Sequence, residues 1–147
     1  MPYTLIAAGD FEAGTRGWTL DGARVVSGNE PWRVRSSNDS RSLELPSGTA
    51  ARTPAVCAGV EEPTLRLFVR ATGDATSALA IEVLFEDLIG RPWALPIALV
   101  PAASGWQPTA PHPVVADLLA LLREPGAPLS FRFRPVGEAD WQIDDVY

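Results

Sequence analysis

The chain has no lysine, one cysteine, one histidine and one methionine among its 147 residues. With Cys57 alone, no disulfide can close within the chain and no cysteine cluster can hold zinc. Its neighbours Ala55, Val56, Ala58 and Val60 predict a packed, inert thiol. His112, between Pro111 and Pro113, has no second histidine to share a metal with and reads as an ordinary loop residue. There is no Gly-x-Ser-x-Gly elbow and no glycine-rich phosphate loop, so hydrolase and nucleotide-enzyme readings lack a starting residue. The adjacent acids Glu61-Glu62 and Asp144-Asp145 would face opposite sides of a strand and cannot readily flank one glycosidic bond. The residues therefore point away from catalysis.

No run reaches the ~20 apolar residues of a membrane span. Met1 to Asp10 has neither a basic region nor an apolar stretch of signal-peptide length. As written, the chain is expected in the cytoplasm, or outside the cell if it is a piece of a larger exported protein. Eighteen acids against twelve arginines give a net charge of -6, which excludes duplex nucleic acid as a natural partner because phosphate backbones need a basic face. Absence of lysine beside twelve arginines fits a GC-rich, arginine-rich coding bias.

Twelve glycines and fourteen prolines imply frequent turns and little long helix. Alternating segments recur between turn signals, the pattern of an all-β antiparallel sandwich. Strands are expected near 3–8, 17–27, 31–35, 41–45, 50–57, 63–72, 78–87, 92–100, 105–110, 128–136 and 140–147. In one of them Leu65, Leu67 and Val69 share a face opposite Arg66 and Arg70; in another Leu129, Phe131 and Phe133 lie opposite Arg132 and Arg134. Leu79, Ile81, Val83 and Phe85 likewise oppose Glu82 and Glu86, and Gly90 and Pro92 mark a hairpin into Trp93–Val100. Val114–Leu122 fits helical spacing, as one short helix or a buried loop. A chain of this length is read as a single domain, residues 1–147.

Gly9-Asp10-Phe11-Glu12 with Gly17-Trp18 at the start, and Trp141-Gln142-Ile143-Asp144-Asp145-Val146-Tyr147 at the finish, resemble the opening and closing strands of jelly-roll carbohydrate-binding modules of the galactose-binding-like superfamily. Ser40–Leu45 and Ser104–Gln107 resemble inner stretches of the same modules. The resemblance implies a jelly-roll sandwich with a structural calcium ion where the terminal strands meet. It places the Glu12 and Asp144 carboxylates on the ion, Asp145 as the alternate carboxylate, and oxygens near Asp10 and Arg41 beside them. Oxygen donors of this kind are what Ca²⁺ takes. The competing reading makes these ordinary acids at strand ends, or partners of Arg16 or Arg24.

Sugar recognition needs exposed aromatic rings with polar groups around them. Most tryptophans here have packing explanations: Trp93 shares strand parity with Leu95, Ile97 and Leu99, Trp141 with Ile143, and Trp18 and Trp106 match core positions of the resembled modules. Trp32 and Trp93, beside prolines at expected strand ends, are the best platform candidates. Arg66, Arg70, Arg132 and Arg134 are candidates for gripping an acidic glycan or a carboxylate-bearing partner, against the alternative of cross-strand pairing with Glu82 and Glu86. The expected function is a noncatalytic binding module for carbohydrate, with a protein-interaction or structural sandwich as the alternative. The sequence leaves oligomeric state open.

Overall fold

A computed structural model describes residues 3–57, 64–113 and 127–147. In chain order its strands are β1 (Thr19–Asp21), β2 (Arg24–Ser27), β3 (Arg41–Leu45), β4 (Ala50–Arg52), β5 (Val56–Cys57), β6 (Thr64–Leu65), β7 (Phe68–Thr72), β8 (Ala78–Glu86), β9 (Pro92–Pro101), β10 (Gln107–Pro108), β11 (His112–Pro113), β12 (Pro128–Val136) and β13 (Asp140–Asp144). One sheet runs β1-β4-β12-β8-β9, with β5 also on β12; the other runs β10-β7-β13-β3-β2; β11 and β6 form a small third pair. All the strand pairings are antiparallel, and the architecture is the expected all-β jelly-roll sandwich. The helix expected over Val114–Leu122 lies outside the described residues.

Alternation explains the layers. The even spacing of apolar side chains sends Leu79, Ile81, Val83 and Phe85 of β8 and Leu129, Phe131 and Phe133 of β12 into the core from one sheet. Leu43 and Leu45 of β3, Val69 of β7, and Trp141 and Ile143 of β13 meet them from the other. Each such side chain contributes roughly 1.5–3 kcal/mol by leaving water. Phe11 and Trp18 join this core as an aromatic chain: Phe11 meets Trp18 edge-on at 5.0 Å, and Trp18 stacks on Phe133 at 6.2 Å. The Trp18 indole N–H donates to the Ala7 carbonyl at 2.8 Å.

Five sequence expectations need correction. Residues 3–8 are not a strand; the segment bends through Ala8 at φ 55°, and only isolated backbone bonds tie it to Val146. Residues 31–35 are turn and bend, for a reason given below. Trp93, Leu95, Ile97 and Leu99 do not share one face, because β9 carries a bulge: Ile81 opposes Ala98 while Glu82 opposes Pro96, leaving Ile97 as the extra residue. Beyond the bulge Leu99 is turned outward and is exposed. Cys57 is exposed and not packed. His112 belongs to β11, opposite Leu65, and burial holds its pKa below the usual value.

The β12–β13 turn tests the packing. Gly137 sits at φ 97°, and a Cβ there would lie 2.5 Å from Ser77 Oγ, which accepts the Ala139 N–H at 3.0 Å. Gly137→Ala is expected to cost more than about 1 kcal/mol and lower the melting temperature by roughly 2–4 °C. An unchanged thermal melt would show that the turn relaxes freely.

Candidate functional site

The face of the five-stranded sheet turned away from the core carries a built polar row. Register places Arg24 opposite Glu44, Glu44 opposite Gln142, and Gln142 opposite Arg70, so one band crosses β2, β3, β13 and β7. Arg24 Nε donates to Glu44 at 2.6 Å. The next band pairs Phe68 with Asp144. Because Leu65, Leu67 and Val69 are buried, alternation turns Arg66, Phe68 and Arg70 outward.

Aromatic rings gather at one end of this face. Trp32, 53% exposed, lies against Phe68 with ring centroids 5.4 Å apart. A hollow of about 360 Å³ beside Phe68 is lined by Tyr3, Val34, Arg66, Pro108 and Tyr147. There the Arg66 guanidinium stands 5.4 Å over the Tyr3 ring, and Tyr3 meets Tyr147 edge-on at 6.5 Å. A second hollow, about 490 Å³, lies at the other end of β7 between Arg70, Thr72, Asp74, Ser104 and Gly105. Trp32, Arg66 and Arg70, separate in sequence, thus share one face.

The other three candidates go elsewhere. Arg132 and Arg134 both bond Glu82, whose carboxyl is nearly buried. Burial pushes that carboxyl up and the two guanidiniums bring it below the usual value. This is the cross-strand pairing alternative. Trp93 is 51% exposed but belongs to the six-stranded sheet, opposite Phe85, with its indole N–H donated to Asp87 at 2.9 Å. That bond, with the N–H groups of Arg91 and Ile89, holds the Asp87 carboxyl at about 2.

Beneath the aromatic end sits an acid cluster that sequence reading only half found. Glu30 and Asp144 are fully buried, Asp145 is 1% exposed and Asp39 is 8% exposed. Glu30 accepts the N–H of Trp32 at 2.5 Å and of Val34 at 2.8 Å, while its own N–H donates to Asp144 at 3.3 Å. Those two carboxylate bonds curl the chain, with Arg33 at φ 48°, which is why residues 31–35 do not extend as a strand. Burial, then the charge of Asp145, pushes Asp144 up to about 8. Burial, then Glu30, Asp39 and Asp10, pushes Asp145 up to about 7, against Arg35. Arg35 lies 3.8 Å from Asp10. Tyr147 rises to about 12 through burial and the nearby Asp145. Nothing marked Glu30 in the sequence, since its partner Asp144 lies 114 positions away.

A calcium ion fits part of this arrangement. Both carboxylate oxygens of Asp145 are buried with no hydrogen-bond partner among the described residues, in a pocket of negative charge. Glu12 is engaged through one oxygen: its Oε1 accepts the Ser40 N–H at 2.7 Å and the Arg41 N–H at 2.6 Å, and its Oε2 meets the Ser40 hydroxyl at 3.5 Å. As they stand, no three Asp, Glu, His or Cys side chains among the described residues converge to enclose an ion.

No family model matches the sequence, and no curated protein matches it. Solved structures do. The Clostridium thermocellum xylanase 10B family 22 carbohydrate-binding and GH10 modules, complexed with xylohexaose, superpose with TM-score 0.67 at 18% identity, over 99% of this chain and 28% of that one. The family 22 xylan-binding domain of Paenibacillus barcinonensis Xyn10C gives 0.62 at 18% identity, over 94% of this chain and 88% of that one. TmCBM61, complexed with β-1,4-galactotriose, gives 0.52 at 15% identity, covering 99% and 97%. The chain thus has the jelly-roll β-sandwich fold that these solved structures share.

Proposed function

We propose that this chain is a noncatalytic carbohydrate-binding module whose glycan lies along the outer face of the five-stranded sheet. The observation that carries the reading is the exposed Trp32 ring, braced on Phe68 at the end of the Arg24–Glu44–Gln142–Arg70 band. An aromatic ring takes the apolar face of a pyranose, while guanidinium and amide groups bond its hydroxyls. Neighbours of the same fold hold xylohexaose or β-1,4-galactotriose. A structural cation belongs to the reading as its finer part: Asp145, with Asp10 and Asp39 near it, would hold the ion, which would neutralise buried negative charge.

Isothermal titration with xylohexaose and β-1,4-galactotriose tests the glycan reading. For whichever sugar binds, Trp32→Ala is expected to weaken binding about thirtyfold, a loss of ~2 kcal/mol, and Arg70→Ala about tenfold. Trp93→Ala is expected to leave affinity unchanged. Binding lost in Trp93→Ala but kept in Trp32→Ala would move the site to the other sheet. One observation favours a protein partner: the β8–β9 turn exposes Leu88 and Ile89, at 61% and 72%. Silence with every glycan would turn attention to that tip.

A further inference from the structure

Glu30 joins two regions that differ in chemistry. Its carboxylate holds the backbone of Trp32 and Val34, and its backbone N–H holds Asp144. Asp144 in turn accepts the N–H of Asp145 at 2.9 Å. A fully buried carboxylate is thus the connection between the exposed ring and the acid whose two buried oxygens have no partner among the described residues. The Trp32 segment has few other ties, chiefly the Arg33 N–H to the Glu30 carbonyl and the Arg33 guanidinium to the Ser37 carbonyl.

We infer that Glu30 is a positioning residue that couples cation binding at Asp145 to the placement of the Trp32 platform. The reason is electrostatic. Without a cation, the carboxyls of Glu30, Asp144 and Asp145 crowd one dry pocket that cannot carry all of their charge, because burying more than one uncompensated carboxylate is strongly unfavourable. Asp144 belongs to β13, in the centre of its sheet, whereas Glu30 lies between β2 and β3 outside any strand, so the charge balance at Asp145 acts on the placement of the Glu30 segment. A divalent cation on Asp145 removes the repulsion, seats Glu30, and with it fixes the N–H groups of Trp32 and Val34. The ring is then held in place before a glycan arrives, which lowers the ordering cost of binding. This inference rests on the reading of Trp32 as a glycan platform only for its purpose; the coupling itself is measurable without any sugar.

The test follows the Trp32 backbone and indole N–H resonances by two-dimensional NMR in the full chain, assigned with Trp32→Phe. Calcium chloride is titrated into chelator-treated protein, and thermal melts are recorded on the same samples. In wild type, the Trp32 resonances are expected to shift with the same midpoint as the rise in melting temperature. In Glu30→Gln, the rise should persist while the Trp32 shift falls to less than about half, because the coupling bond has lost its charge. In Asp145→Asn, both responses should vanish. A calcium-induced rise in melting temperature with stationary Trp32 resonances would overturn the coupling, and so would an unaltered Trp32 shift in Glu30→Gln. The absence of any calcium response in wild type would also overturn it. If Glu30→Gln fails to fold, the wild-type comparison of midpoints decides. A calcium-coupled Trp32 that binds none of the sugars would sink the glycan reading and leave the coupling standing.

Discussion

In chelator, raising the pH from about 5 to about 7 is expected to remove about 5 kcal/mol of stability, seen as a fall of roughly 10–20 °C in melting temperature. Asp144 and Asp145 have folded-state pKa values of about 8 and about 7, above the ordinary carboxylate value of 3.8. Below that ordinary value, the folded and unfolded chains are both protonated and no difference arises. Between it and the folded values, the unfolded chain gives up protons that the folded chain retains. Stability therefore falls as pH rises through this window and stops falling above about 8. Each proton retained accounts for about 1.4 kcal/mol per pH unit. If the proposed calcium ion binds at Asp145 it would favour the ionised carboxylate, and millimolar calcium should then flatten the slope. A melting temperature that rises between pH 5 and 7 in chelator would refute the burial argument.

Phe11→Ala should be the most damaging single substitution near the amino terminus. Phe11 is wholly buried and meets Trp18, which stacks on Phe133 of β12. Truncation removes the transfer energy of the ring and leaves a cavity between Trp18 and the loop, a loss of about 3–5 kcal/mol. The backbone at Phe11 has φ 56°, a conformation alanine tolerates no better, so nothing offsets the loss. Urea unfolding measures it as a lower midpoint at constant slope. A loss below about 1 kcal/mol would mean that Phe11 does not brace the opening motif.

The central strands could be read from the residues because each has one buried face. β3, β8, β12 and β13 follow alternation closely, with Leu43, Ile81, Phe133 and Ile143 all fully buried. Reading failed where a single contact distant in sequence overrides local pattern. Trp32 and Val34 alternate like a strand, yet the Glu30 carboxylate takes both of their N–H groups and bends the segment. Trp93 to Leu99 alternates too, but one inserted residue in β9 reverses the pattern at Ile97. Trp32, Arg66 and Arg70 were identifiable as candidates, whereas their meeting on one face depends on strand order, which alternation does not encode. Arg132 and Arg134 had the same outward signature and lie on the opposite sheet, closed on Glu82. Glu12 and Asp144 were each recognisable as special, but the hydrogen bonds that assign them to different partners were not.

The position of β13 between β7 and β3 has a consequence for how the molecule is made. During synthesis, β3 can pair with β2 and β7 with β10, but neither meets the strand that joins the two pairs until residues 140–144 emerge. The half of the sandwich that carries Trp32 and Arg70 must therefore wait as two pieces, each with one open edge that could pair with other chains. Closure then brings together segments about seventy to a hundred positions apart, so this sheet should form slowly and late.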